Sequence, residues 1–286
     1  MCLLGGVYLL TCLRMPNTNA FKRAIVTHGG AGSNVADSDR AAFAAAAGMS
    51  LMNENGSALD AVVEAVRNLE DDHRFNAGLG SRLRADGKTI QMDASCMTSD
   101  GKFGAVACVE HLQNPILVAK EVLFETAVIL ITGYGVHLFA QEHALELQTL
   151  PQATLTTKKN YETPSCDTVG AVAFDGKIYA AALSTGGLSG APIGRVGDVP
   201  LPGCGLFCGP MGAIACTGDG ESIALKLLAR QVYSRLEDNM NADVAANEAL
   251  SLFDDTVDIG IIVLGHTGFS ARARNGMAWS HATVSN

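Results

Sequence analysis

Thr168 stands where a polar stretch gives way to an apolar strand, and at that junction a single residue could supply both halves of a nucleophile–base pair. Residues 151–167 are dominated by Thr, Lys, Asn, Pro and Ser and lose the hydrophobic rhythm of their surroundings, which reads as an internal linker. Val169-Gly170-Ala171-Val172-Ala173 then reads as a buried strand, and Thr is an ordinary residue to open one. The second reading is chemical. If the Asp167–Thr168 bond is cut, a hydroxyl and a free α-amine sit on one residue at a rigid strand end. An α-amine with a reference pKa of roughly 7.7–8.0 is a useful general base near neutral pH. It could activate the hydroxyl beside it without a His or Ser triad. The chain has no G-x-S-x-G and no other complete nucleophile–base motif.

Two further clusters could serve such a nucleophile. Arg195 and Asp198, in Gly194-Arg195-Val196-Gly197-Asp198, are the charged residues of a long uncharged stretch between Lys177 and Asp219. They read either as a mutual salt bridge on a loop or as a clamp for a zwitterion. In the clamp, Arg offers a planar fork to a carboxylate and Asp accepts from an ammonium. Ala215-Cys216-Thr217-Gly218-Asp219-Gly220-Glu221 lies at a strand-to-helix junction. Thr217 or Asp219 could cap the helix, or the Thr217 hydroxyl and an exposed backbone N–H could donate to a developing oxyanion. The two roles are compatible, because helix N-termini carry unpaired N–H groups.

The elements that must position these residues follow from periodicity. A strand over Ala24 to Thr27 runs into the turn His28-Gly29-Gly30-Ala31-Gly32, and an Ala-rich helix is predicted over 38–53. Ser57 and Asp60 form a capping-box pattern ahead of Leu59, Val62, Val63, Val66 and Leu69 at helical spacing. Asp86-Gly87 and Asp100-Gly101 are hairpin signals. Asn114-Pro115 predicts an N-cap and first helical residue, and another helix is expected over 136–147. Past the linker come a hairpin turning at Asp175-Gly176, a strand at 213–216, helices over 220–236 and 241–253, and a final hairpin near Gly265 to Gly268. Antiparallel hairpins interspersed with helices predict an α+β fold.

Composition excludes several classes. The formal net charge of −9 argues against nucleic acid and anionic membranes as partners. No apolar run reaches the roughly 18 residues that span a bilayer. Of eight cysteines, Cys96, Cys108 and Cys216 lie in strand-like stretches, and no second pair or His cluster completes a zinc site around Cys204 and Cys208. That usage favours a reducing, cytoplasmic setting. Residues 1–20 hold a short apolar run with no preceding basic residue, a poor signal peptide, and Met15 is an alternative start. Secretion is the alternative if that segment does act as a signal.

Together with the clusters above, the chain carries Leu69-Glu70, Phe75-Asn76-Ala77-Gly78, Met92-Asp93-Ala94-Ser95, Gly104-Ala105-Val106-Ala107, Asn114-Pro115 and Ser184-Thr185-Gly186-Gly187. In this order the motifs resemble the plant-type L-asparaginases and isoaspartyl peptidases, N-terminal-nucleophile hydrolases of the glycosylasparaginase superfamily. The resemblance runs from about Ile25 to the end, apart from the linker. It implies one four-layer αββα sandwich over 21–286, self-cleaved into an α-chain (1–167) and a β-chain (168–286). It implies Thr168 as nucleophile, Thr185 as a second hydroxyl and Asn76 beside the nucleophile. Arg195 and Asp198 would bind the substrate carboxylate and amine, and Thr217 with Gly218 would form the oxyanion hole. No organic cofactor is expected. A structural sodium ion is implied on backbone carbonyls of the loop carrying Leu69, Glu70, Asp72, Phe75, Ala77 and Leu79. The substrates would be small β-aspartyl amides, and the assembly a homodimer of αβ units.

The sequence also departs from this pattern. Asp167-Thr168 replaces the usual Gly-Thr and matches glycosylasparaginases, which keeps that activity as an alternative. Gly203-Cys204-Gly205-Leu206-Phe207-Cys208 lacks the usual Tyr-Ala-Asp/Asn, and Ser189 to Ile193 lacks the usual Asn-Lys. A non-catalytic relative that binds aspartyl ligands uncut is a further alternative. A nucleotide-binding loop at His28 to Gly32 is disfavoured, because the P-loop Lys-Ser/Thr and the G-x-G-x-x-G spacing are missing.

Overall fold

Two sheets, each flanked by helices, give the chain a mixed α+β architecture. The computed structural model describes residues 20–125, 127–150 and 168–286. The expectations for the N-terminal segment, the linker and Asp167 lie outside these residues. The larger sheet contains β1 (Phe21–Ala31), β2 (Met92–Thr98), β3 (Phe103–Val109), β4 (Leu130–Thr132), β5 (Val169–Phe174), β6 (Tyr179–Thr185) and β11 (Met277–Ser285). Their order is β11-β1-β5-β6-β2-β3-β4, antiparallel except for β3 with β4. The smaller sheet has the order β10-β9-β8-β7, built from β7 (Leu206–Gly209), β8 (Gly212–Gly218), β9 (Ile259–Gly265) and β10 (Gly268–Ala273).

Alternation along the strands explains why they read as unbroken apolar runs. In β1, Ile25 belongs to the cluster under the helices α1 (Ser38–Asn53), α2 (Ala58–Glu70) and α3 (Pro115–Phe124), whereas Ala24 and Val26 belong to a second cluster that includes Leu206, Ala215 and Ile262 of the smaller sheet. In β5, Val169, Ala171 and Ala173 join the first cluster, and Val172 and Phe174 join the second. Both faces are buried, so neither face needs polar residues. A third cluster joins Ile214, Cys216 and Ile261 to α6 (Leu228–Glu237) and α7 (Ala242–Ser251).

Several local expectations match the structure. The first two helices fall where predicted, and Ser57 and Asp60 form the reciprocal capping box. The Asp100-Gly101 and Asp175-Gly176 turns join β2 to β3 and β5 to β6.

Other expectations need correction. His28-Gly29-Gly30-Ala31 is not a turn after the strand but part of β1, with a register shift between His28 and Ala31. The Asp86-Gly87 turn closes a loop, held by Arg84 N donating to Thr89 O, and no hairpin forms there. Asn114 and Pro115 take the N-cap and first helical positions of α3 as predicted, but the Asn114 side chain makes no capping bond; its Nδ2 donates to Glu70 Oε2 and Asp71 Oδ1, and Ile116 N donates to Glu70 Oε1 instead. The helix expected over 136–147 is α4 (Tyr134–Glu142), which starts and ends earlier.

The helix expected over 220–236 is two helices, α5 (Gly220–Lys226) and α6, broken at Leu227 with φ of +48°. The break lets Ala229 N and Arg230 N donate to Cys204 O and Gly203 O, so a neighbouring loop caps the second helix.

Candidate active site

Antiparallel pairing brings distant residues to one end of the larger sheet. Thr168 immediately precedes β5, and Thr185 ends the neighbouring β6, whose Ser184 lies opposite Val169. From the smaller sheet, β8 delivers Thr217 and Gly218 to the same place. The fully buried Thr217 Oγ1 accepts two hydrogen bonds, one from Ala31 N of β1 at 3.0 Å and one from Thr168 N at 3.3 Å. One side-chain oxygen therefore ties both sheets to the start of β5.

A cleft at this end is lined by Asn76, Thr168, Thr185, Gly187, Arg195, Asp198, Gly218 and Gly220, among others. The predicted substrate-handling residues line it except Thr217, which is fully buried and meets the site at Thr168, whose backbone nitrogen it accepts from. Thr185 Oγ1 accepts from Gly187 N at 3.1 Å. Asn76 grips the same turn from the other side: its Nδ2 donates to Gly187 O at 2.7 Å and its main-chain oxygen accepts from Gly186 N at 2.8 Å. Its buried Oδ1 has no hydrogen-bond partner. Gly187 holds φ of +75°, a left-handed conformation that glycine adopts without a Cβ clash. Gly218 is required twice over, with φ of +129° and a Cβ that would meet Asp258 O at 2.2 Å.

Arg195 and Asp198 are not ion-paired with each other. Arg195 instead forks onto Glu221, with Nε to Oε1 at 2.8 Å and Nη2 to Oε2 at 2.6 Å. Asp198 is buried, and its Oδ2 has no hydrogen-bond partner. Burial pushes its carboxyl up to about 7, against the pull of its backbone N–H and of Arg195. Gly220 separates the two: a Cβ there would lie 2.8 Å from Asp198 Oδ1 and 3.0 Å from Arg195 Nη2. Of the two capping candidates at this junction, Asp219 is the one that caps, accepting from Ser222 N at 2.7 Å.

Sequence reasoning missed the layer behind the cleft. Arg84 is buried, its Nη2 donates to Gln91 O, and its guanidinium lies against Gly187. Asp93, opposite Thr185 in β2, accepts from Cys108 N, and burial lifts its carboxyl to about 6. A carboxylate inside Met92-Asp93-Ala94-Ser95-Cys96 was the available signal, since a charged residue in an apolar strand needs partners. His28 is fully buried against Gly170, and burial drops its pKa to about 3 against the opposing pull of the Thr168 backbone.

The segment from Leu69 to Leu79 begins in the last turn of α2. Among its carbonyls, Leu69 O and Asp72 O accept from Asp72 N and Phe75 N, and Phe75 O and Ala77 O accept from Ala77 N and Gly80 N. Each carbonyl oxygen has a second lone pair. Among the described residues no group of three or more His, Cys, Asp or Glu side chains could hold a metal ion.

A strand-end Thr tied to a second Thr thus stands beside a buried carboxylate and a guanidinium. The chain matches the asparaginase family model over residues 21–165 and 146–286, and it belongs to that family. It is 39% identical over 272 residues to an isoaspartyl peptidase/L-asparaginase of Rattus norvegicus, covering 85% of this chain and 80% of the relative. A relative of the same name from Xenopus laevis is 38% identical over 91% of this chain and 92% of its own length. A plant-type L-asparaginase of Pyrococcus horikoshii is 36% identical over 79% and 83%.

Proposed function

We propose that this chain hydrolyses β-aspartyl amides, namely L-asparagine and isoaspartyl dipeptides, to aspartate plus ammonia or an amino acid. The observation that carries the reading is that Thr168, Arg195, Asp198 and Gly218 line one cleft. Family membership and the relatives' names point the same way.

Activation begins with the Thr168 hydroxyl attacking the Asp167 carbonyl carbon. The C–N bond breaks as the hydroxyl proton passes to the nitrogen, leaving an ester and a free Thr168 amine; water then hydrolyses the ester, releasing the Asp167 carboxylate and restoring the Thr168 hydroxyl. In turnover that amine takes the hydroxyl proton while Thr168 Oγ1 attacks the side-chain carbonyl of the substrate. Thr217 and the Gly218 N–H stabilise the oxyanion, the leaving amine departs with the proton, and water clears the ester. Arg195 reads the α-carboxylate and Asp198 the α-ammonium. Thr185 supplies a second hydroxyl, and Asn76 keeps the Gly186-Gly187 turn against the nucleophile.

The fold completing this reading is the four-layer αββα sandwich, supported by three apolar clusters in succession. A sodium ion on the carbonyls of Leu69, Glu70, Asp72, Phe75, Ala77 and Leu79 suits neutral hard oxygen donors, and would stiffen the loop carrying Asn76. A homodimer of αβ units in the cytoplasm completes the proposal, and the five cysteines among the described residues are free thiols. The test is a side-by-side assay of L-Asn, β-aspartyl-leucine and N-acetylglucosaminyl-asparagine, with N-terminal sequencing of the purified protein. Turnover of the first two by a chain starting at Thr168 supports the reading. Preference for the third would make the protein a glycosylasparaginase, and an uncut, inactive chain would make it a binding relative.

A further inference from the structure

Arg195 has two edges that can grip a carboxylate, and the structure spends one of them on the protein itself. Its Nε–H and one Nη2–H go to Glu221, while Nη1 makes no hydrogen bond to the described protein and the residue lines the cleft. The guanidinium is seated between two positions without side chains. A Cβ at Gly197 would lie 3.0 Å from Nη1, and one at Gly220 3.0 Å from Nη2. Glu221 is itself more than half exposed, so the pair is anchored from the solvent side and works inward.

We propose that Glu221 is the positioning residue of Arg195. By holding the Nε/Nη2 edge, it fixes the plane of the guanidinium and turns the Nη1/Nη2 edge toward the cleft. That edge then forms a fixed two-pronged seat for the substrate α-carboxylate, beside the buried Asp198. An Arg side chain without this anchor rotates among many rotamers, and ordering it would be charged against binding each time. Glu221 thus sets specificity for substrates that carry a free α-carboxylate. The inference deepens the proposed function and rests on it.

The test compares L-asparagine with its α-carboxamide, L-aspartic diamide, on the wild type, Glu221→Gln and Glu221→Ala. Glu221→Ala should raise KM for L-asparagine about tenfold or more, the size of one oriented charge-assisted contact, with kcat within about twofold. Hydrolysis of the diamide should hardly change, so the preference for the free carboxylate collapses. Glu221→Gln keeps one acceptor and should fall between. Equal losses on both substrates would mean general damage to the fold and would overturn the proposal. A lowered KM would overturn it too, by showing that Glu221 competes with the substrate.

Should the wild type hydrolyse neither compound, the proposed reaction fails, and the pair is read by thermal shift with L-aspartate. A shift in the wild type that shrinks in both variants supports the anchoring role, and an equal or absent shift overturns it.

Discussion

The side-chain oxygen of Thr217, in the smaller sheet, stands 3.3 Å from the backbone nitrogen of Thr168, the residue that immediately precedes β5 of the larger one. The same oxygen also accepts from Ala31 N, so its position is fixed from two directions. In the proposed scheme, removing it loosens the nitrogen that would serve as base and deletes an oxyanion donor. Such a donor is worth about 3–4 kcal/mol. Thr217→Ala should therefore lower kcat by about two orders of magnitude or more, with Thr217→Ser close to wild type. Steady-state kinetics on matured protein checks this, and an unchanged kcat would remove Thr217 from the mechanism.

Thr168 is the residue on which self-cleavage depends in the proposed scheme. Thr168→Ala should run as a single chain on a denaturing gel, whereas the wild type resolves into two fragments. Two fragments from the variant would show that another residue, or a protease, makes the cut.

In the proposed scheme, Asp198 would give substrate binding a pH dependence. Burial raises its carboxyl to about 7, so the fraction able to accept an ammonium declines as pH falls through that value. KM for L-asparagine should rise on the acid side of about pH 7 and level off above it. In Asp198→Asn, KM should be high throughout and lose that slope. Measuring KM from pH 5.5 to 8.5 on both proteins decides it, and parallel profiles would exclude Asp198 as the titrating group.

His28 should mark the acid stability of the fold. Its folded pKa of about 3 lies below the unfolded value of about 6.5, because the buried ring resists a charge. The unfolded chain takes up a proton as pH falls below 6.5, and the folded chain does not until about 3. Stability from this residue is full above 6.5 and is lost toward 3, by at most about 1.4 kcal/mol per pH unit. In an uncut Thr168→Ala background, His28→Gln should lose less Tm than its parent between pH 7.5 and 5. Equal losses would show that His28 titrates as if exposed.

Local chemistry was the part most legible in the sequence. The capping box of Ser57 and Asp60, the Asp-Gly turns and the long Ala-rich helix all depend on neighbours within a few residues. What the sequence did not disclose depends on partners far along the chain. The short strands β4 and β7 have three and four residues, too few for a period to register. The split at Leu227 is set by a loop more than twenty residues upstream, since helical periodicity alone continues across it. In the site, Arg195 and Asp198 were visible as lone charges in an uncharged stretch. Glu221, Arg84 and Asp93 were harder to see, because their importance lies in the guanidinium, turn or strand against which each one packs.

The order of the larger sheet gives the proposed cut an unusual consequence. β1 lies between β11 and β5, and β2 lies beside β6, so strands from before residue 168 pair with strands from after it at three places in the sheet. Cleavage would leave two polypeptides joined by backbone ladders on both sides of β1 and between β6 and β2. Separating them means unzipping the centre of the sheet, so the fragments stay together without the bond. Once unfolded, they could re-form it only by meeting in solution. Refolding would then follow second-order kinetics and slow with dilution, whereas the uncut chain refolds at a rate independent of concentration. In that sense the proposed maturation would be a one-way step: the molecule would keep its shape and lose the simplest route back to it.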